Sequence, residues 1–249
     1  MASKGSGFSG VANAGRSAEN SAGDRGRVPF AMLVLAVFSA GAASLLYEVV
    51  WVRQLGHSLG STAVATSVML SAFLGGLAFG SWYAGRLADQ HKSPLEALFR
   101  LEIAAAVVGA LSVPALSIAG RAYVYIASIT SAGPGVSLAL RAAFALGVML
   151  VPATVFGATF PLATAAAGRL TDREDAAGGV SAASCFGSAI GSAVGGLLLE
   201  PALGLTGSAF SAAGLNVFAA LLAVFAARIA LHSERLSDNV AVRAADKSG

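Results

Sequence analysis

The sequence predicts an all-α, polytopic membrane protein with six transmembrane helices. Of its 249 residues, 56% are hydrophobic and 12% are charged, whereas an average soluble domain carries about 25% charged residues. The mean hydropathy is +0.74. Six apolar segments each reach the length of about 20 residues that a membrane span needs. They are residues 29–52, 61–84, 95–119, 136–167, 178–202 and 208–231.

The segments divide the chain into a membrane domain, 29–231, and two tails, which we expect to be cytoplasmic. Residues 1–28 are rich in Gly, Ser, Ala and Asn and predict a disordered tail. The fourth segment is longer than one crossing requires and contains two prolines, so it predicts a single kinked helix that extends beyond the membrane. Residues 232–249 form the second tail.

The fifth segment carries Gly187, Gly191 and Gly195, one glycine in every four residues. Spaced in this way, glycines flatten one face of a helix so that another helix backbone can approach closely. The partner helix lies either in the same bundle or in another subunit, and this face is a candidate contact between subunits.

The basic residues predict the orientation. With six crossings and both tails on one side, all but three of the 16 Lys and Arg residues fall on that side. The exceptions are Arg53, Arg121 and Arg141. The positive-inside rule therefore predicts a multi-pass protein of the cell (inner) membrane with both termini cytoplasmic.

Four charged residues fall within or near the predicted outer ends of spans, and one tyrosine accompanies them. In chain order they are Tyr47, Glu48, Arg53, Arg141 and Glu200. They favour an acidic pocket for a proton, a cation or an amine, because intramembrane ionisable residues often mark functional sites. The alternative is a network of ion pairs that only positions the helices.

The other polar residues within the apolar segments predict structural roles. We expect Glu102 to pair with Arg86 or near Arg100, and Asn216 to form an interhelical hydrogen bond. The three histidines fall in loops or tails and Cys185 is the single cysteine, so we expect neither a metal site nor a cofactor. No basic stripe interleaved with aromatics occurs, and nucleic acid is excluded as a partner.

The connection between the second and third spans resembles a loop of major-facilitator transporters. Gly85, Arg86 and Asp89 match its Gly–Arg–Leu–x–Asp core, followed by basic residues. A tight cytoplasmic turn is the alternative explanation. With six spans, the resemblance implies one half of a major-facilitator fold. Since such transporters place their site between two halves, we expect a homodimer or a partner membrane chain.

Two longer strings resemble a particular family. The two strings are LLYEVVWVRQLGHSLGSTAVATSVMLSAFLGGLAFGSWYAGRLAD, residues 45–89, and FGSAIGSAVGGLLLEPALGLTGS, residues 186–208. Both are similar to the membrane region of spermidine synthase-like proteins. That family joins a facilitator-like region to an aminopropyltransferase-like domain. The resemblance implies binding or transport of a small solute, cationic and polyamine-like. The alternative is an anchor or scaffold for a separate cytoplasmic aminopropyltransferase-like enzyme.

The 18 residues after Leu231 are too few for a nucleotide-binding βαβ unit of about 30 residues. We therefore expect no enzymatic activity from this chain on its own.

Overall fold

The computed structural model describes residues 6–59, 62–88, 90, 92–130, 133–171 and 175–246. Every regular element within these ranges is helical, so the all-α prediction is confirmed. The helices are α1 Ser6–Leu59, α2 Thr62–Ala88, α3 Pro94–Thr130, α4 Pro134–Leu170, α5 Ala176–Val194 and α6 Glu200–Asp246. A π-helical turn, Gly195–Leu199, joins α5 to α6.

Within the described ranges, five helical segments are long and apolar enough to cross a membrane. They are Arg27–His57, Ala63–Ala88, Pro94–Ile126, Gly135–Leu170 and Ala176–Ser233. These segments support a multi-pass protein in contact with the lipid bilayer. The last segment covers both the fifth and the sixth predicted spans, so the count of six stays a prediction.

Helical structure extends into both predicted tails, and at residues 6–28 it differs from the disorder that the composition predicts. Helix α1 begins at Ser6 and α6 runs to Asp246, so each helix continues beyond its apolar segment. No proline occurs before Pro29, and helical hydrogen bonds need only neighbouring residues of the chain. Low apolar content therefore does not prevent a helix at residues 6–28.

The chain reverses direction near the start of α6. Gly204 has φ 69° and ψ −177°, a backbone conformation that glycine adopts without steric cost. Gly187 lies against the backbone of Phe38 in α1, while Ala219 packs in a buried cluster with Ala40 of the same helix. Along one straight helix, residues 187 and 219 would be about 48 Å apart. Both instead flank the same turn of α1.

Glycines set the closest helix contacts in the bundle. The predicted glycine face of α5 packs against α1 within the same chain, where an added Cβ would collide with it. In order, Gly187, Gly191 and Gly195 face Phe38, Ala42 and Leu46. This face is therefore occupied and is not the surface for a second subunit. Because the hydrophobic effect does not drive helices together within lipid, such close packing is a main source of helix association.

Helices α2 and α4 approach each other in the same way. Gly80 lies against the carbonyl of Thr154, and Gly157 lies against the backbone of Leu77. The Ser81 hydroxyl donates a hydrogen bond of 2.7 Å to the carbonyl oxygen of Gly157. These contacts hold α4 beside α2, with the polar side chain of Ser81 turned into the bundle.

Two apolar clusters fill the bundle. We call the end with the α2–α3 and α4–α5 connections the tail end, and the opposite end the far end. The far-end cluster is built on Trp51, Phe73 and Phe156, and the tail-end cluster on Leu33 and Leu98. A cavity lies where members of both clusters meet.

Candidate functional site

The structure divides the five residues of the predicted acidic pocket among separate places. An ion pair of 2.9 Å joins Arg53 Nη1 to Glu200 Oε2 at the far end. The Arg53 side chain is 50% exposed, so the pair contributes little to stability. The guanidinium of Arg141 lies 4.5 Å from the centre of the Tyr123 ring. Arg53 and Glu200 thus link α1 to α6, and Arg141 packs against α3.

Tyr47 belongs to the aromatic core. Its side chain is fully buried and stacks on Trp51 and Phe156, with ring centroids 6.0 and 5.4 Å apart. The ring fits only because Gly109 of α3 has no side chain at the contact. The Trp51 indole donates a hydrogen bond of 2.8 Å to the hydroxyl of Ser112, which fixes this layer. Tyr47 therefore reaches the cavity only through Phe156, which lines it.

Glu48 is half-buried and follows Ser44 by four residues, so both lie on the same face of α1. Among the described residues, no hydrogen bond or ion pair reaches its carboxylate. Ser44 lines the central cavity. Glu48 thus lies one helical turn, about 6 Å, beyond the cavity toward the far end.

The central cavity has a volume of about 260 Å³, and all six helices contribute to its wall. Five hydroxyl groups, one amide and one carboxyl group line it, and none of the described residues in the wall is basic. The polar lining is Ser44, Ser81, Glu102, Thr159, Ser184, Ser188 and Asn216. Val37, Ala40 and Gly41, near the middle of Arg27–His57, complete the lining at this depth.

Glu102 supplies the one carboxyl group in the described wall of this cavity. Only 1% of it is exposed, and its Oε1 accepts a hydrogen bond of 3.0 Å from the Thr159 hydroxyl. Its Oε2 is buried without a partner among the described residues. The expected pairing with an arginine is wrong. Residues two apart on a helix point in different directions, and Arg100 instead pairs with Glu96 on its exposed side.

Arg86, the other expected partner of Glu102, lies at the end of α2. Its guanidinium is 4.1 Å from the centre of the Trp82 ring. Gly85 is exposed beside it, with open space around its Cα. Asp89, the third residue of the loop motif, lies outside the described residues.

Asn216 lines the cavity from α6 and is 1% exposed. Its Oδ1 has no hydrogen-bond partner among the described residues, so the expected interhelical hydrogen bond is not made by this oxygen. The Ser188 hydroxyl donates to the carbonyl of Gly41, at 3.2 Å, and leaves its oxygen lone pairs available. The cavity therefore holds two buried acceptor oxygens, Glu102 Oε2 and Asn216 Oδ1, without a described donor. Such oxygens can accept hydrogen bonds from an ammonium group or water, or bind a cation or a proton.

Sequence reasoning noticed Glu102 and Asn216 as polar residues in apolar spans but did not join them. They are separated by 114 positions, and no spacing rule connects residues on α3 and α6. The sequence feature that could have connected the two residues is their position along their spans, because both lie well inside apolar segments. Compared with protein-family models, with curated proteins and with solved structures, the chain has no significant match.

Proposed function

We propose that this chain is a membrane protein that binds and transports a small organic cation, with Glu102 as its counter-charge. The observation that carries the proposal is the buried, unpartnered Oε2 of Glu102 in a cavity without a basic residue in its described wall. Leaving a buried polar group unsatisfied costs about 1–3 kcal/mol. A ligand that donates hydrogen bonds and carries positive charge removes that cost.

The size of the cavity favours an organic amine. Its volume of about 260 Å³ is several times the roughly 30 Å³ that one water occupies in the liquid. It lies just below the usual range for small-molecule pockets, about 300–1,000 Å³. An alkyl amine would place its ammonium group near Glu102 and its methylene groups against Phe73 and Phe156, which line the same space.

Glu48 provides the argument for a linear polyamine. It is a second carboxylate without a described partner, one helical turn beyond the cavity on the same face of α1 as Ser44. A chain with ammonium groups several ångströms apart would contact Glu102 with one and Glu48 with another. The resemblance to spermidine synthase-like membrane regions favours the same class of solute.

The proposal includes six crossings and cytoplasmic termini in the inner membrane. The reversal at Gly204 supports two crossings within Ala176–Ser233, and the distribution of basic residues supports the orientation. Phe160 at the cavity is 42% exposed, and the serines around it are partly exposed. Because polar groups are not left facing lipid, we propose that a second copy of the chain covers this side.

The test is binding of radiolabelled putrescine and spermidine to the purified protein in lipid nanodiscs. Glu102→Gln keeps the shape and the acceptor for Thr159 but removes the charge, and should weaken both amines at least tenfold. Glu48→Gln should weaken spermidine more than putrescine. Glu96→Gln, on the exposed side of the same helix, is the matched control and should leave both affinities unchanged.

Three results would count against the proposal. If the wild type binds no amine, the proposed cationic solute is wrong. Unchanged affinity in Glu102→Gln removes this residue from the site. A stoichiometry of one amine for each isolated single chain removes the need for a second copy.

The alternative function, an anchor for a separate aminopropyltransferase-like enzyme, has one observation in its favour. Helix α6 continues from Ser233, the end of its apolar segment, to Asp246. This extension is about 20 Å long and offers a surface beyond the membrane. The anchor predicts a gene for such an enzyme beside this one, and no amine binding by the chain alone.

A further inference from the structure

Two grooves flank the far-end part of α3, apart from the central cavity. One has a volume of about 400 Å³ and lies between α1, α3 and α4. The other, about 420 Å³, lies between α3 and α6. Ser117 and Arg121 line both grooves, so the two run along opposite sides of one helix and meet at the same arginine.

Among the described residues that line the two grooves, every charged side chain is basic. Arg121 is exposed and Arg141 lines the first groove, with no acidic residue in either described wall. The Tyr123 ring beneath Arg141 holds that guanidinium in place by a cation–π contact. Arg121 forms no ion pair within the described part of the chain.

Most of the remaining residues in each wall are apolar. Leu116, Val124 and Phe144 line the first groove, and Ile118 and Phe210 line the second. Arg121 lies five residues before the end of Pro94–Ile126, and Arg141 six residues after the start of Gly135–Leu170. Both are thus about 8–9 Å inside the helix ends. Because these helices are longer than the hydrocarbon core of about 30 Å, this depth lies near the headgroups.

We propose that the two grooves and their arginines form a binding site for one anionic phospholipid. The lipid phosphate would accept hydrogen bonds from Arg121 and Arg141. Guanidinium suits this role because its N–H donors match the geometry of phosphate oxygens. Its two acyl chains would lie in the two grooves, one on each side of α3. A free inorganic anion would use the arginines but not the apolar walls, and this difference favours a lipid. The proposal does not depend on the function of the central cavity.

The test is native mass spectrometry of the full chain released from nanodiscs that contain phosphatidylcholine with phosphatidylglycerol. Wild-type protein should retain phosphatidylglycerol in preference to phosphatidylcholine. Each of Arg121→Gln and Arg141→Gln should reduce that preference about fivefold. Arg86→Gln, which removes the same charge at the opposite end, should not.

A second variant tests the grooves without changing the charge. Gly120 lines the first groove and has open space at its Cα, so Gly120→Leu should fold, fill the groove and lower lipid retention. The proposal is overturned if both lipids are retained equally or if Arg86→Gln loses as much preference as the other variants. It is also overturned if Gly120→Leu retains the lipid like wild type, or if inorganic phosphate displaces it.

Discussion

Replacing Glu102 by glutamine should raise the thermal stability of the empty protein. In the wild type, Oε2 is buried without a described partner, at a cost of about 1–3 kcal/mol. If the group is charged, the membrane interior adds a further cost of about 2.5–3.5 kcal/mol. Glutamine keeps the acceptor for the Thr159 hydroxyl and carries no charge. It also replaces Oε2 by an N–H donor, in a cavity where the Asn216 side-chain oxygen has no described donor. We therefore expect a gain of about 1–3 kcal/mol.

For a chain of this size, 1 kcal/mol changes the melting temperature by about 2–4 °C, so a gain of about 1–3 kcal/mol raises it by about 2–12 °C. The assay is thermal unfolding in nanodiscs without amine, for wild type, Glu102→Gln and Glu96→Gln. Glu96 is exposed and pairs with Arg100, so its variant should stay within about 0.5 kcal/mol of wild type. Saturating putrescine should then stabilise wild type more than Glu102→Gln.

A melting temperature of Glu102→Gln below that of both the wild type and the Glu96→Gln control would refute this reasoning. Such a fall would mean that the carboxyl group has a stabilising partner and serves only to position helices. A rise is the pattern of a site that gives up stability for function. The sign of the change separates the two interpretations even before a ligand is identified.

Two further predictions concern packing and surface charge. Gly191→Leu should destabilise the protein by about 1–3 kcal/mol or prevent folding, because the added side chain collides with the backbone of α1; thermal unfolding measures it. Gly147→Leu, at an exposed glycine with open space, is the matched control and should be tolerated; equal losses at both sites would contradict the contact. Arg53→Gln should cost no more than about 1 kcal/mol. A double-mutant cycle with Glu200→Gln at low and high salt should show a coupling that salt weakens, and a coupling unaffected by salt would argue against a solvated pair.

Some features of the fold follow from local sequence properties. Long apolar segments indicate membrane-crossing helices because backbone polar groups in lipid must be satisfied within the segment itself. The boundaries of the first four segments follow the same rule, and they agree within several residues with the apolar parts of the first four helices. Residues 6–28 are helical although their composition predicts disorder, because a helix needs only local hydrogen bonds.

The residues of the candidate site show where local reasoning ends. Tyr47 and Glu48 are neighbours in sequence, yet one is fully buried in the aromatic core and the other lies half-buried on the cavity side of α1. Successive residues on a helix differ by about 100°, so adjacency did not place them in one pocket. Arg53 and Glu200, which were predicted to lie at the same depth in the membrane, form an ion pair. Arg141 was predicted at that depth too, but it packs against Tyr123.

The sequence by itself determined the helical class, the apolar segments and the presence of glycines at close-packing intervals, because each depends on residues near one another in the chain. Only the tertiary structure decided that α5 packs its glycines on α1 and that the chain reverses at Gly204. It also decided that Glu102 and Asn216 share one cavity. The physical reason is that side-chain packing between distant segments sets how each helix is rotated about its axis and which helices it contacts. No local sequence pattern encodes that packing.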